Sequence, residues 1–229
     1  MLQLFGNASS DLWTVIGTSL AVSGTATVIA TIIGLPLGYV LGTGLFRGKR
    51  AVALLTILLV NTGMGLPPVA VGLVVYLLLS RTGPLGSMGL LFSQPAMIIA
   101  QVIIATPLVA GVAAAAVASV PEEMRLQARS LGADRLREAW LTMLETRKGI
   151  MAAVVAGFGG VMSEVGAVMM VGGNIQGSTR VMTTAIVLET RQGNFAEAGA
   201  LVVVLIGLAL MVNGALTALQ MTGTRRVDI

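Results

Sequence analysis

The sequence predicts an all-α integral membrane protein with about five transmembrane helices, and three observations carry that reading. Hydrophobic residues fill 55% of the 229 positions. Charged residues fill only 10%, against about 25% in a soluble domain. The few charges are also bunched: none falls between Asp11 and Arg47, Arg50 and Arg81, Arg81 and Glu122, or Glu197 and Arg225. Each gap holds the roughly 20 mostly apolar residues that a bilayer-crossing helix needs.

The first span is expected over residues 12–41. Gly34, Gly38 and Gly42 fall four apart within or beside it. That spacing lets helices approach closely in lipid, although glycine is also simply common in transmembrane helices. Gly34-Leu35-Pro36 predicts a bend or an end. The second run, residues 51–80, is interrupted by Gly63-Met64-Gly65-Leu66-Pro67-Pro68. Two prolines remove two backbone donors, so this stretch reads as a kink or a re-entrant corner, tolerated only where protein or a cavity covers it. Asn61 and Thr62 beside it are weak candidates for lining a path. The third run follows a turn at Gly83, Pro84 and Gly86 and ends near Val120. A polar stretch covers residues 121–148. The fourth span, residues 149–168, contains Glu164. An irregular polar segment then reaches Asn194, with a short helix expected over residues 179–188. The last span is residues 195–219. One membrane domain covering residues 1–229, with its core at about 14–219, accounts for the chain; no internal repeat is visible.

Basic residues orient the spans, because loops rich in Lys and Arg stay cytoplasmic. Arg47, Lys49 and Arg50 share one loop, Arg125, Arg129, Arg135, Arg137, Arg147 and Lys148 another, and Arg225 and Arg226 lie in the tail. Five spans put all three on one side and leave Arg81, Arg180 and Arg191 on the other. The N-terminus is then outside and the C-terminus cytoplasmic. A sequence pI near 10.3 follows from this asymmetry without nucleic acid. No basic n-region precedes the first apolar stretch, so no cleaved signal peptide is expected.

Cys and His are both absent. That excludes thiolate and imidazole metal sites and the commonest general base, and with them most intramembrane enzymes. No GxxxxGK[ST] motif occurs, so the chain is not expected to hydrolyse ATP by that route. Active transport would draw on a partner or an ion gradient.

The polar stretch predicts two short helices at an angle. Pro121 suits a first turn, and Glu122 and Glu123 complement the positive end of the helix dipole. Met124, Ala128 and Leu131 share a face. Gly132 is a natural stop and Asp134 a natural cap for the next helix, whose apolar stripe is Leu136, Ala139, Trp140 and Met143. From the residues alone, an amphipathic helix lying on the headgroups remains an alternative.

Leu126-Gln127-Ala128-Arg129-Ser130-Leu131-Gly132, followed by Leu144, resembles the "EAA" loop of ABC importer permeases. That pattern reads Glu-Ala-Ala, three residues, Gly, nine residues, Ile-x-Leu-Pro. Here the Glu is Leu126, the second position Gln127, the Ile Thr142 and the Pro Glu145. A second segment runs from Ser163-Glu164-Val165-Gly166 through Gly172-Gly173-Asn174-Ile175 to Gly177-Ser178-Thr179-Arg180-Val181-Met182-Thr183-Thr184. It resembles the oxyanion branch of type I ABC permeases, tungstate permeases most of all. Sulfate and molybdate permeases share the Glu and Gly-Asn-Ile wording, but usually carry Pro where this chain has Gln176.

The resemblance implies the type I importer fold, a homodimer in a prokaryotic cytoplasmic membrane, two ATPase subunits that hold ATP and Mg, and an extracytoplasmic oxyanion-binding protein. It implies no cofactor or metal in this chain, and no nucleic-acid partner; lipid surrounds the spans. Its coupling residues are Glu122, Gln127, Ala128, Arg129, Ser130, Gly132, Ala133 and Asp134. Tungstate is the expected substrate, with molybdate or sulfate as alternatives.

A translocated anion must bind weakly enough to leave, so hydroxyls, amides and backbone donors serve better than clustered Arg. Ser163, Asn174, Ser178, Thr179, Thr183 and Thr184 are the candidates, with Arg180 as an attractor at the outer mouth. The same residues would equally serve to satisfy an irregular backbone in the bilayer. Glu164, an ionisable residue in a span, is a functional candidate by position. It is expected to pair with a helix N-terminus or a basic residue and hold a bend. A proton-coupled carrier using Glu164 is the rival reading.

Overall fold

The structure, a computed structural model, describes residues 2–44 and 50–222. Arg47, Lys49, Arg225 and Arg226, used above for orientation, lie outside the described residues. Within them the chain forms α1 (Leu2–Thr43), α2 (Arg50–Met64), α3 (Pro68–Leu79), α4 (Gln94–Ala118), α5 (Glu122–Ser130), α6 (Arg135–Glu145), α7 (Arg147–Met162), α8 (Gly166–Gly172), α9 (Met182–Gln192) and α10 (Phe195–Thr222). A 3-10 turn occupies Gly86–Met88. Three helices are long and apolar enough to cross a membrane, within α1, α4 and α10. Counting α2 with α3 and α7 with α8 as broken spans makes five.

The chain divides into two compact units. The first is residues 1–28, 66–104 and 158–212. Its core joins Val22 of α1, Val71 and Val75 of α3, Met97 and Ala100 of α4, and Val168 and Val171 of α8. Small residues bring α3 onto α8: a Cβ on Gly72 would stand 2.7 Å from the Ala167 Cα. Met182 and Ala185 of α9 pack with Val15 of α1 and Leu201 and Leu205 of α10.

The second unit is residues 29–65, 105–157 and 213–229. Val109 and Ala113 of α4, Ala153 of α7 and Leu35 of α1 form its core. Here the glycine spacing of α1 makes a close seam with α4. A Cβ on Gly38 would lie 2.7 Å from the Ala110 carbonyl oxygen, and one on Gly42 would lie 2.6 Å from that of Ala114.

Two expectations about elements are corrected. Pro36 does not end the first helix, which runs on through it to Thr43. Proline in a transmembrane helix is tolerated when neighbouring helices and small adjustments re-satisfy the freed backbone, and the seam with α4 holds both sides of Pro36. The fourth span is not continuous over residues 149–168: α7 stops at Met162, and α8 leaves it at 58°. No proline marks the break. The short helix expected at residues 179–188 begins at Met182 instead, because Thr179 is engaged in the preceding loop. The break at residues 63–68 is where it was expected, with Pro68 at the first helical position of α3, where a missing N–H does no harm.

Candidate functional site

Two regions hold the candidate residues. The first is the α5–α6 hairpin. Pro121 stands just outside α5 as its N-cap rather than in its first turn, which Glu122 and Glu123 occupy. The carbonyls of Gln127, Arg129 and Ala128 accept from Leu131, Gly132 and Ala133 in turn, closing the end of α5. Gly132 sits at φ 90°, a region L side chains avoid. Asp134 Oδ1 accepts from the Arg137 N–H at 2.7 Å, the capping bond its position predicts.

Across that turn the Arg129 Nε donates to Glu138 Oε2 at 2.6 Å. Glu138 is buried and Arg129 half-exposed, and the carboxylate holds the guanidinium above its ordinary range. Arg125 reaches from α5 to the Thr43 carbonyl at the end of α1, at 3.4 Å. Glu138 was not among the residues singled out from the sequence. Its partnership depends on the angle of the turn, and no fixed spacing announces it.

The expected apolar positions face outward. Leu131 is 90% exposed, Leu136 81% and Trp140 66%. With Ala128, Leu141 and Met143 they line an open groove of about 830 Å³. Asp134, exposed, and Ala133, half-buried, also line it, and Glu122, Gln127 and Ser130 are exposed elsewhere on α5. Large apolar side chains on an otherwise polar hairpin mark an interaction surface.

The second region is the break between α7 and α8 and the loop from α8 to α9. Glu164 Oε1 accepts from the Ala167 N–H at 2.8 Å, so the carboxylate caps the start of α8. The Thr183 hydroxyl donates to the Glu164 carbonyl at 2.9 Å. Thr179, fully buried, donates to the Gly172 carbonyl at 2.5 Å and accepts from the Ile175 N–H at 3.0 Å. Thr184 accepts from the Val181 N–H at 3.1 Å, and Ser19 of α1 accepts from the Met182 N–H at 2.9 Å.

These bonds satisfy backbone groups that the breaks release, as buried backbone requires. They bring Glu164, Thr179, Thr183 and Thr184 into one buried frame. Ser163 and Ser178 are exposed, and Asn174 and Arg180 are half-buried. Asn174 takes a positive φ of 52° just after Gly173. Its Oδ1 and the Arg180 Nε are buried without a hydrogen-bond partner among the described residues. The buried Gln101 of α4, also not singled out from the sequence, donates to the Val161 carbonyl at 3.1 Å near the end of α7. A lone amide within an apolar helical run was the signal for it.

Comparison with known proteins bears on both regions. The model of the family described as "Binding-protein-dependent transport system inner membrane component" matches residues 34–222. A protein of Haloferax volcanii named "Probable anion ABC transporter permease protein" is 43% identical over 207 residues, covering 88% of each chain. The "Tungstate uptake system permease protein TupB" of Peptoclostridium acidaminophilum is 39% identical over 219 residues, covering 96% of this chain and 94% of that one. Among solved structures, a chain of the MetNI methionine ABC transporter, crystallised in inward-facing conformations, superposes with a TM-score of 0.71 over 95% of this chain and 96% of that one. At 16% identity this is a likeness of fold, and it is the type I importer fold the sequence resembled. A family model covering both regions and relatives matched nearly end to end leave one assignment: the chain belongs to the inner membrane components of binding-protein-dependent transport systems.

Proposed function

We propose that this chain is the permease subunit of an ABC importer for a tetrahedral oxyanion, tungstate before molybdate or sulfate. It works as a homodimer of single-domain subunits with the N-terminus outside. Two separate ATPase subunits bind ATP and Mg and press on the α5–α6 hairpin; an extracytoplasmic binding protein delivers the anion. The observation that carries this reading is the exposed apolar groove between Leu131, Leu136 and Trp140. Three large apolar side chains exposed on a polar hairpin call for a cover, and the coupling-loop resemblance favours a partner subunit over lipid headgroups. The tungstate assignment rests on the relatives named for anion and tungstate uptake.

ATP binding draws the ATPase subunits together, and the hairpin carries that rigid-body displacement into the spans. Arg129–Glu138 and Arg125–Thr43 make the hairpin stiff enough to transmit it. The buried frame of Glu164, Thr179, Thr183 and Thr184 holds the broken segment in shape. Ser178 and Asn174 are side chains at its surface that offer weak donors to a passing dianion, with Arg180 as the attractor; Ser163, also exposed, donates its hydroxyl to the Gly159 carbonyl and would have to release it to take part.

The chain is tested by co-expression with candidate ATPase and binding-protein subunits and reconstitution into liposomes. ATPase activity is read against tungstate, molybdate and sulfate, with the Leu136→Ala/Trp140→Ala variant alongside. The expected result is stimulation by tungstate at the lowest concentration, and loss of ATPase copurification in the variant with normal membrane insertion. Stimulation by another oxyanion replaces the substrate. Uptake that follows a proton gradient with no ATPase bound overturns the reading in favour of a carrier using Glu164.

A further inference from the structure

The first unit encloses a cavity of about 10 Å³ at the break between α7 and α8. Ser19 and Ser23 of α1, Gln101 of α4, Glu164, and Met182 and Thr183 of α9 form its wall. All four elements meet there inside an otherwise apolar core. Its polar groups are spoken for except in one direction. The Ser19 hydroxyl donates to the Val15 carbonyl at 2.7 Å while accepting from Met182. The Gln101 amide nitrogen donates to the Val161 carbonyl at 3.1 Å and to the Ser23 hydroxyl at 3.4 Å. Thr183 donates to the Glu164 backbone.

What remains is acceptor capacity. Gln101, only 2% exposed, turns its Oε1 to the interior with no partner among the described residues. The Glu164 carboxylate accepts from the Ala167 N–H, and a carboxylate has room for about four such bonds. The amide cannot simply be turned over, because its nitrogen is the group that the Val161 carbonyl needs. Buried acceptors without donors are rare in native interiors.

We propose that this cavity is the site of one resident water, which donates to Gln101 Oε1 and the Glu164 carboxylate and accepts from the Ser23 hydroxyl. The size fits: a water needs at least about 10–15 Å³ and two to four polar partners. The chemistry fits as well, since two residues with spare acceptor capacity, Gln101 and Glu164, line the same cavity, and a water brings two donors. The water makes a joint of the break. It ties α1 and α4 to the carboxylate that caps α8 while leaving bonds that re-form after small displacements. Gln101 is thereby a positioning residue for the α7–α8 break. This site does not depend on the substrate or the ATPase proposed above.

The test uses the full chain in lipid nanodiscs. A map at a resolution that shows ordered solvent is expected to contain one spherical peak in contact with Gln101 Oε1. Gln101→Met, apolar and of similar length, is expected to lose that peak and to raise hydrogen exchange at the Ala167 and Met182 amides at least tenfold. Ser23→Ala, which leaves the Val161 bond intact, is expected to do the same more weakly, and it keeps the test open if Gln101→Met does not insert. An empty cavity, a peak ringed by five or six oxygens that changes with sodium, or unchanged exchange in both variants overturns the proposal. Density and exchange are read without any ATPase, so loss of docking in the earlier experiment leaves this result standing.

Discussion

Gly132 offers a direct measure of how much the shape of the α5–α6 turn matters. Its φ of 90° is one an L residue adopts only at a penalty, yet a Cβ there would meet nothing within 4 Å. Steric crowding within the subunit is thus absent, and inside the chain a substitution acts through backbone preference. For an ordinary residue in the left-handed region that preference is about 1–2 kcal/mol. At about 1.4 kcal/mol per tenfold, the ratio of the native turn to its alternatives would fall about 5- to 30-fold. On the proposed docking, the ATPase should then bind more weakly by up to that factor, with the chain folded and its spans unaffected. Asn tolerates positive φ better than other non-glycine residues, so the expected order of affinity is Gly, then Asn, then Ala, then Val. The assay is titration of the ATPase onto permease in nanodiscs. If Ala binds as tightly as Gly, or Asn fares no better than Val, turn conformation does not govern docking.

Three further outcomes follow from the packing and hydrogen bonds. Gly38→Leu would drive side-chain atoms into the Ala110 carbonyl, 2.7 Å from the first added carbon; overpacking of about 1–3 kcal/mol or more should lower the thermal midpoint in detergent, whereas Gly24→Leu, on an open part of the same helix, should leave it nearly unchanged. Thr179→Val would orphan the Gly172 carbonyl and the Ile175 N–H, at about 1–3 kcal/mol for each buried group, and speed hydrogen exchange across residues 173–181, while Thr179→Ser should keep both bonds and wild-type exchange. Glu138→Ala would remove the charge-assisted bond to Arg129 and should make the α5–α6 turn a site of limited proteolysis without changing the spans.

The hairpin was readable because its signals are local. Pro121, Glu122, Gly132 and Asp134 each act on the backbone within a few residues, and each sits where the helices start or stop. The break before Pro68 was readable for the same reason. Whether Pro36 ends its helix was not legible because that depends on a neighbour: the glycine seam against α4 lets the helix continue. The break at residues 163–165 was legible only through Glu164, the ionisable residue expected to hold a bend; no proline marks where it falls. It exists because a carboxylate three residues upstream takes the Ala167 amide and a threonine on α9 takes the Glu164 carbonyl. The division of the polar residues into a buried frame and an exposed set was equally hidden. Broken helices have no steady period, so spacing says nothing about which hydroxyl turns inward.

The exposed groove of α5–α6 also governs how the subunit must be made. Leu131, Leu136 and Trp140 are large apolar side chains left exposed on the hairpin. If an ATPase subunit covers them as proposed, a copy synthesised ahead of that partner carries a sticky face that invites self-association and recognition by proteases and chaperones. Balanced production of the subunits is then a demand written into the surface itself. A cell that overproduces this chain alone should accumulate it in clusters or clear it, and supplying the covering partner should restore its lifetime.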